Sequence, residues 1–241
     1  MRIEVLDDAA AVGARAAEAI CDMLRAKPDA LLGLPTGTTP LPVYAELERR
    51  AHRDAGLFAS ATAYAIDEFV APQRDMPGTN GAYYRDRVRL PLHALHCPDA
   101  SAPDPAQHIH EHAEAIRVRG GLDLCMLGVG VNGHLAFNEP GSAADSRARV
   151  AMLAPETRAA YATAFGGEAP EMGMTLGIAD LLESRQVLVL ATGARKAAIV
   201  RAAIEGPATA DVPASWLRDH AVVTWLLDRD AASRLRFRAE G

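Results

Sequence analysis

The stretch Leu122-Asp123-Leu124-Cys125-Met126-Leu127-Gly128-Val129-Gly130-Val131-Asn132-Gly133-His134 decides how this chain is read. An apolar run with one polar interruption passes directly into a glycine-rich turn that carries Asn132 and His134. Such a run is a strand buried on both faces. Glycines at its end mark a tight turn where the backbone comes close to something.

Working outward, residues 186–191 and 221–227 have the same apolar character, and 30–34, 63–66 and 2–6 are shorter versions of it. Helical periodicity fills the intervals. Residues 8–26 place Val12, Ala16, Ala19, Ile20, Met23 and Leu24 on one face, and 40–51 opens with Thr39 then Pro40. Residues 80–89, 107–118 and 197–204 also read as helices, with a proline-containing loop over 91–106. Buried strands alternating with helices predict an α/β fold: a mostly parallel sheet with helices on both faces, a Rossmann-like three-layer sandwich. No repeat or low-complexity linker divides the chain, so one domain over 1–241 is expected. Residues 138–176 show no strong strand pattern and are rich in Ala, Gly, Ser and Arg. The part over about 141–175 is expected either to form a mobile lid over a site or to make surface helices.

Composition narrows the functional classes. Hydrophobic residues make up 49% of the 241 positions and charged residues 23%, which excludes a disordered chain. A net charge of −6 gives no bulk attraction to nucleic acid or to an anionic membrane. Cys21, Cys97 and Cys125 are too scattered for a disulfide framework or a zinc site and fit a reducing, cytoplasmic setting. The opening Met1-Arg2-Ile3-Glu4-Val5 has a carboxylate where a signal peptide needs its apolar run, and no stretch is long enough to span a bilayer.

In open α/β sheets ligands bind beyond the carboxyl ends of the strands, and four such ends carry chemistry. In Gly33-Leu34-Pro35-Thr36-Gly37-Thr38-Thr39-Pro40, Gly37 admits a ligand to the backbone and Thr36, Thr38 and Thr39 offer hydroxyls ahead of a helix N-terminus. That suits a phosphate, although an ordinary capped turn fits these residues equally well. Asp67 and Glu68 are adjacent carboxylates after a buried strand; a carboxylate so placed can remove a proton next to a carbonyl, and a helix cap plus a solvated Glu is as common. His134 is the side chain of its loop that titrates near neutrality, with Glu139 near enough to orient it. Lys196 opposes the dipole of the helix it precedes and so has reason to meet an anion, though alone it reads as a solvated lysine.

Taken together, Leu32-Gly33-Leu34-Pro35-Thr36-Gly37 with Thr39-Pro40, Asp67-Glu68-Phe69, Asn132-Gly133-His134-Leu135-Ala136-Phe137-Asn138-Glu139-Pro140, and Gly193 with Lys196-Ala197 resemble the glucosamine-6-phosphate deaminase family over nearly the whole chain. The resemblance implies aldose–ketose isomerisation and deamination of glucosamine 6-phosphate to fructose 6-phosphate and ammonia. It implies Asp67 as the base that carries a proton from C2 to C1, and His134, oriented by Glu139 and Asn132, as the acid/base for ring opening. Thr36, Gly37, Thr38, Thr39 and Lys196 would hold the phosphate, with Glu68 as a further substrate contact. The partner implied is a small sugar phosphate, bound by a monomer or a homo-oligomer, and the resemblance implies no metal and no organic cofactor.

Departures from the family pattern matter. Some members have Asp where this chain has Asn132, so the imidazole has one carboxylate neighbour fewer. Many have a phosphate-contacting Arg in the covering segment where this chain has Thr163, leaving Arg158 as the nearest replacement. Ala151 and Met152 stand where allosteric members have a Lys and a Thr, so no activation by N-acetylglucosamine 6-phosphate is expected. A 6-phosphogluconolactonase shares the fold and a similar His loop but usually lacks the Phe137-to-Pro140 continuation, and a galactosamine-6-phosphate deaminase stays open. A non-enzymatic sugar-phosphate sensor would be expected to carry a DNA-binding segment and would have less reason to keep both Asp67 and His134.

Overall fold

The computed structural model describes residues 1–236. Its elements run β1 (Arg2–Leu6), α1 (Ala9–Ala26), β2 (Leu31–Leu34), α2 (Leu41–Ala51), β3 (Thr62–Ala65), β4 (Asp67–Phe69), α3 (Asn80–Arg87), β5 (Ala94–His96), α4 (Pro105–Val118) and β6 (Leu124–Gly128). They continue with β7 (Arg149–Met152), α5 (Pro155–Tyr161), β8 (Met172–Thr175), α6 (Ile178–Leu182), β9 (Val187–Ala191), α7 (Ala197–Glu205), β10 (Val223–Asp228) and α8 (Arg229–Ala232).

Seven strands form one sheet in the order β1-β10-β9-β6-β2-β3-β5, and every neighbouring pair is parallel. The alternation of side chains along each strand builds two cores. In β9, Val187, Val189 and Ala191 face one layer with Val200 and Ile204 of α7, while Leu188 and Leu190 face the other with Ile20 and Leu24 of α1. Burying each such side chain contributes about 1.5–3 kcal/mol, which is why the strand runs are apolar on both faces. From β2 the chain proceeds outward through β3 to β5, and from β6 it proceeds the other way through β9 to β10. The direction of strand order therefore reverses between β2 and β6. The loops after these two strands part there and leave a crevice.

The expectation for 138–176 is corrected here. Arg149–Met152 and Met172–Thr175 are strands, and with β4 they make a second, antiparallel sheet in the order β4-β8-β7. The chain turns out of the main sheet at Ile66, whose carbonyl accepts the Leu176 amide at 2.9 Å, and Asp67 lies opposite Thr175. The covering segment is thus hydrogen-bonded to the strand that carries the candidate base. Strand β5 is a second difference, a three-residue edge strand inside the expected loop. Among the described residues no helix is long and apolar enough to cross a membrane.

At the opposite end of the sheet, Asp123 is 2% exposed and precedes β6. Its carboxylate accepts from Lys27 at 2.8 and 2.9 Å, from Arg185 at 2.9 Å and from the Leu31 amide at 2.8 Å. Burial works against the charge, but these donors outweigh it and hold the carboxyl below its ordinary range.

Candidate active site

The loop after β2 turns at Gly37, whose φ of 100° lies in the left-handed region that a side chain would strain. Its carbonyl accepts the Tyr83 hydroxyl at 2.8 Å, and Pro35 O accepts the Tyr44 hydroxyl at 2.5 Å. Pro40 caps α2 without any side-chain bond, so the Thr39 hydroxyl is not the cap that the sequence suggests. The loop is held from behind. The Thr36 hydroxyl is spent on Asn80 and the Leu41 amide on Thr38 O, so of the three hydroxyls expected to meet a phosphate those of Thr38 and Thr39 remain as donors.

Asp67 opens β4 and is 7% exposed. Burial, and then the charge of Glu68, push its carboxyl up to about 8 against the opposing hydrogen bond from Asn80. Asn80 Nδ2 donates to Asp67 Oδ1 at 2.7 Å, and Asn80 Oδ1 accepts from Thr36 Oγ1 at 2.8 Å. Asp67 is thereby connected to the loop after β2 through a single side chain.

Glu68 is placed differently from a substrate contact. It is fully buried and accepts the backbone N–H groups of Phe69, Asn80 and Gly81 at 2.7, 2.8 and 2.7 Å. The alternation of a strand turns it away from Asp67 and onto the N-terminus of α3, where burial raises its carboxyl to about 7 against the opposing pull of the three amides.

In the loop after β6, the Cβ that Gly130 lacks would lie 2.4 Å from the His134 ring, so only glycine lets the imidazole rest on this backbone. His134 Nδ1 lies 3.4 Å from Glu139 Oε2 and 3.2 Å from Thr157 Oγ1. Asn132 Nδ2 donates to Glu139 Oε2 at 2.8 Å, and Asn132 Oδ1 accepts the His134 amide at 3.1 Å. Burial alone would raise Glu139; hydrogen bonding and charge from His134, with Thr157 and Asn132, overcome it and hold the carboxyl at about 2. Glu139 is therefore a carboxylate at neutral pH, able to orient the imidazole. Ala136, beside this cluster, has a φ of 50°, a strain that the surrounding motif sustains.

Lys196 Nζ donates to Val129 O at 2.6 Å, which brings the end of β9 onto the same loop. Burial, and then Arg195, lower its ammonium to about 8. Arg158 is committed elsewhere. It donates to Ala169 O at 3.4 Å and faces Glu171 at 3.4 Å, both within its own covering segment.

Sequence reasoning missed Asn80, Thr157 and Tyr161. Thr157 and Tyr161 are one turn apart on α5, the i, i+4 spacing that puts both on one face. Thr157 meets His134, and Tyr161 sits against Thr36, its oxygen 3.8 Å from where a Gly37 Cβ would be. Burial raises the Tyr161 phenol, and the charges of Asp67 and Glu139 both add to the effect. Tyr161 is thus within electrostatic reach of both carboxylates. Its ring is T-shaped to Phe69 at 5.0 Å, and Phe69 packs on Phe137 at 4.8 Å, which joins the Asp67 strand to the His134 motif. A buried carboxyl group, a carboxylate-oriented imidazole and a loop with free threonine hydroxyls are joined here through α5 and the Phe69–Phe137 contact, groups able to move protons on a bound substrate. No group of three or more His, Cys, Asp or Glu among the described residues is arranged to hold a metal.

The model of the family described as glucosamine-6-phosphate isomerases/6-phosphogluconolactonase matches residues 6–225. A glucosamine-6-phosphate deaminase of Arthrobacter sp. (strain FB24) is 43% identical across 98% of this chain and 93% of its own length. One from Rhodopirellula baltica is 38% identical, covering 99% and 98%. Among solved structures, a monomeric glucosamine-6-phosphate deaminase superposes with a TM-score of 0.92 at 34% identity, over 97% of this chain and 100% of that one. The 6-phosphogluconolactonase of Trypanosoma cruzi reaches a TM-score of 0.77 at 20% identity over 98% and 97%, a likeness of fold alone.

Proposed function

The chain belongs to the glucosamine-6-phosphate isomerase/6-phosphogluconolactonase family, and from that membership we propose that it is a glucosamine-6-phosphate deaminase acting through the site just described. The observation that carries this reading is that Asp67 and the imidazole held by Glu139 border the same face of α5, with Thr157 on His134 Nδ1 and Tyr161 in the field of both carboxyl groups. A buried carboxyl group and an imidazole oriented by a second carboxylate can divide acid and base roles between them.

The chemistry follows from the residues. His134 moves a proton between the ring oxygen and the C1 hydroxyl as the sugar opens, with Glu139 fixing the ring tautomer. Asp67 takes the C2 proton and returns it at C1. As it does so the C2 amine gives up one proton and the C1 carbonyl oxygen gains one, leaving a C1 hydroxymethyl and a C2 imine, which water hydrolyses to the ketone of fructose 6-phosphate and ammonia. The Thr38 and Thr39 hydroxyls and the backbone of the loop at Gly37 receive the phosphate together with Lys196. Tyr161, rather than Arg158, stands over Gly37 as the donor from the covering segment.

Ammonia release from glucosamine 6-phosphate tests the proposal against its rivals. Acid release from 6-phosphogluconolactone without ammonia would assign the lactonase reaction, and faster ammonia release from galactosamine 6-phosphate would reverse the epimer. Binding without turnover would leave a sensor.

A further inference from the structure

Asn80 is the first residue of α3 and is 2% exposed. Its side-chain nitrogen donates to Asp67 Oδ1 at 2.7 Å and to the Asp67 carbonyl at 3.0 Å. Both partners are acceptors, so the amide takes one orientation, with Nδ2 on Asp67 and Oδ1 turned away. That oxygen accepts the Thr36 hydroxyl at 2.8 Å. The backbone beneath it is anchored separately, because the Asn80 and Gly81 amides donate to the buried Glu68 carboxylate. A buried amide costs free energy unless its bonds are made, and here they are made to the loop after β2 and to the first residue of β4.

We propose that Asn80 is a positioning residue for the reaction: its amide holds the Asp67 carboxylate in one orientation and ties it to the loop that receives the phosphate. With Oδ1 engaged, Oδ2 is the oxygen left to exchange the substrate proton. The Thr36 bond makes the position of the base depend on the phosphate loop, so the two halves of the substrate are registered against one another. The proposal rests on the deaminase reading for what Asp67 does, but not for how Asp67 is held.

The test replaces Asn80 by Ala and follows two properties. The first is Asp67 ionisation in the substrate-free protein, by carbon NMR of labelled aspartate carboxyls with the resonance assigned from Asp67→Asn. The second is the pH profile of ammonia release. A hydrogen bond to the charged form favours that form. Its loss is expected to raise the Asp67 midpoint by about one pH unit, and to displace the rising limb of kcat/KM equally. At neutral pH kcat is expected to fall about tenfold, with KM changing less. A folded Asn80→Ala protein with the native midpoint and profile would overturn the proposal. Asn80→Asp provides a second measurement if the alanine variant does not fold, since it keeps the shape and the backbone anchor. Its like charge is expected to move the midpoint further upward, and an unmoved midpoint would again count against the idea. The NMR measurement needs no substrate, so absence of ammonia release by the native protein is read separately as failure of the deaminase assignment.

Discussion

Glu139 holds His134 from one side and the covering segment from the other: Oε2 lies 3.4 Å from His134 Nδ1, while Oε1 accepts the Ala154 amide at 3.2 Å, immediately before α5. One carboxylate therefore sets both the imidazole and the start of the helix that carries Thr157 and Tyr161. Glu139→Gln keeps the shape but removes the charge that favours a donating Nδ1–H. We expect kcat to fall about 10²-fold, within the range of general acid–base contributions. Unchanged single-turnover ring opening in this variant would remove Glu139 from that step.

Asp67→Asn retains an acceptor for Asn80 and loses the base. Turnover is expected to drop by about 10²–10⁴-fold or more, with substrate binding, read by calorimetry, largely preserved. Residual activity near the native level would transfer proton removal to another group.

The position of Asp67 at about 8 sets a pH dependence. The base acts when ionised, so kcat/KM should climb from pH 6 towards 8, where loss of the Lys196 charge begins to oppose it. The effect on stability has the opposite sense. The folded carboxyl keeps its proton up to about 8, whereas the unfolded one releases it near ~3.9. Between these values the folded state binds more protons, so this group makes stability fall as pH rises. Denaturation of the native protein and Asp67→Asn across pH 5–8 should show the variant gaining relative stability towards the alkaline end.

Lys196→Ala should mainly raise KM, because a phosphate contact remote from the reacting carbons acts in both ground and transition states. With its ammonium lowered to about 8, the native KM should also rise above that pH. Tyr161→Phe keeps the packing on Phe69 and removes only the hydroxyl over Gly37; KM is expected to rise several-fold, about the worth of one hydrogen bond. A selective loss of kcat in either variant would call for a different role.

Asp123→Ala lies at the far end of the sheet. It leaves the Leu31 amide unpaired while Lys27 and Arg185 turn to solvent, since their side chains are 41% and 57% exposed. A loss of about 1–3 kcal/mol in urea unfolding is expected, the usual cost of a buried unsatisfied group, with catalysis unaffected.

The sequence by itself determined the layered sheet and the order of its strands' loops. Strands such as β6 and β9, buried on both faces, must be apolar at every position, and that signal survives without knowledge of neighbours. His134 and Glu139 were legible for a similar reason, because a contiguous loop carries both. Strands β7 and β8 were not. Arg149–Met152 and Met172–Thr175 have little strand preference of their own, and pairing with β4 decides them. Glu68 and Arg158 were charges with no visible partner in the sequence; the α3 N-terminus and the segment near Glu171 claimed them only when the chain was folded. Asn80, Thr157 and Tyr161 belong to the tertiary structure for the same physical reason: which face of a short helix meets a site is set by packing against elements distant in sequence.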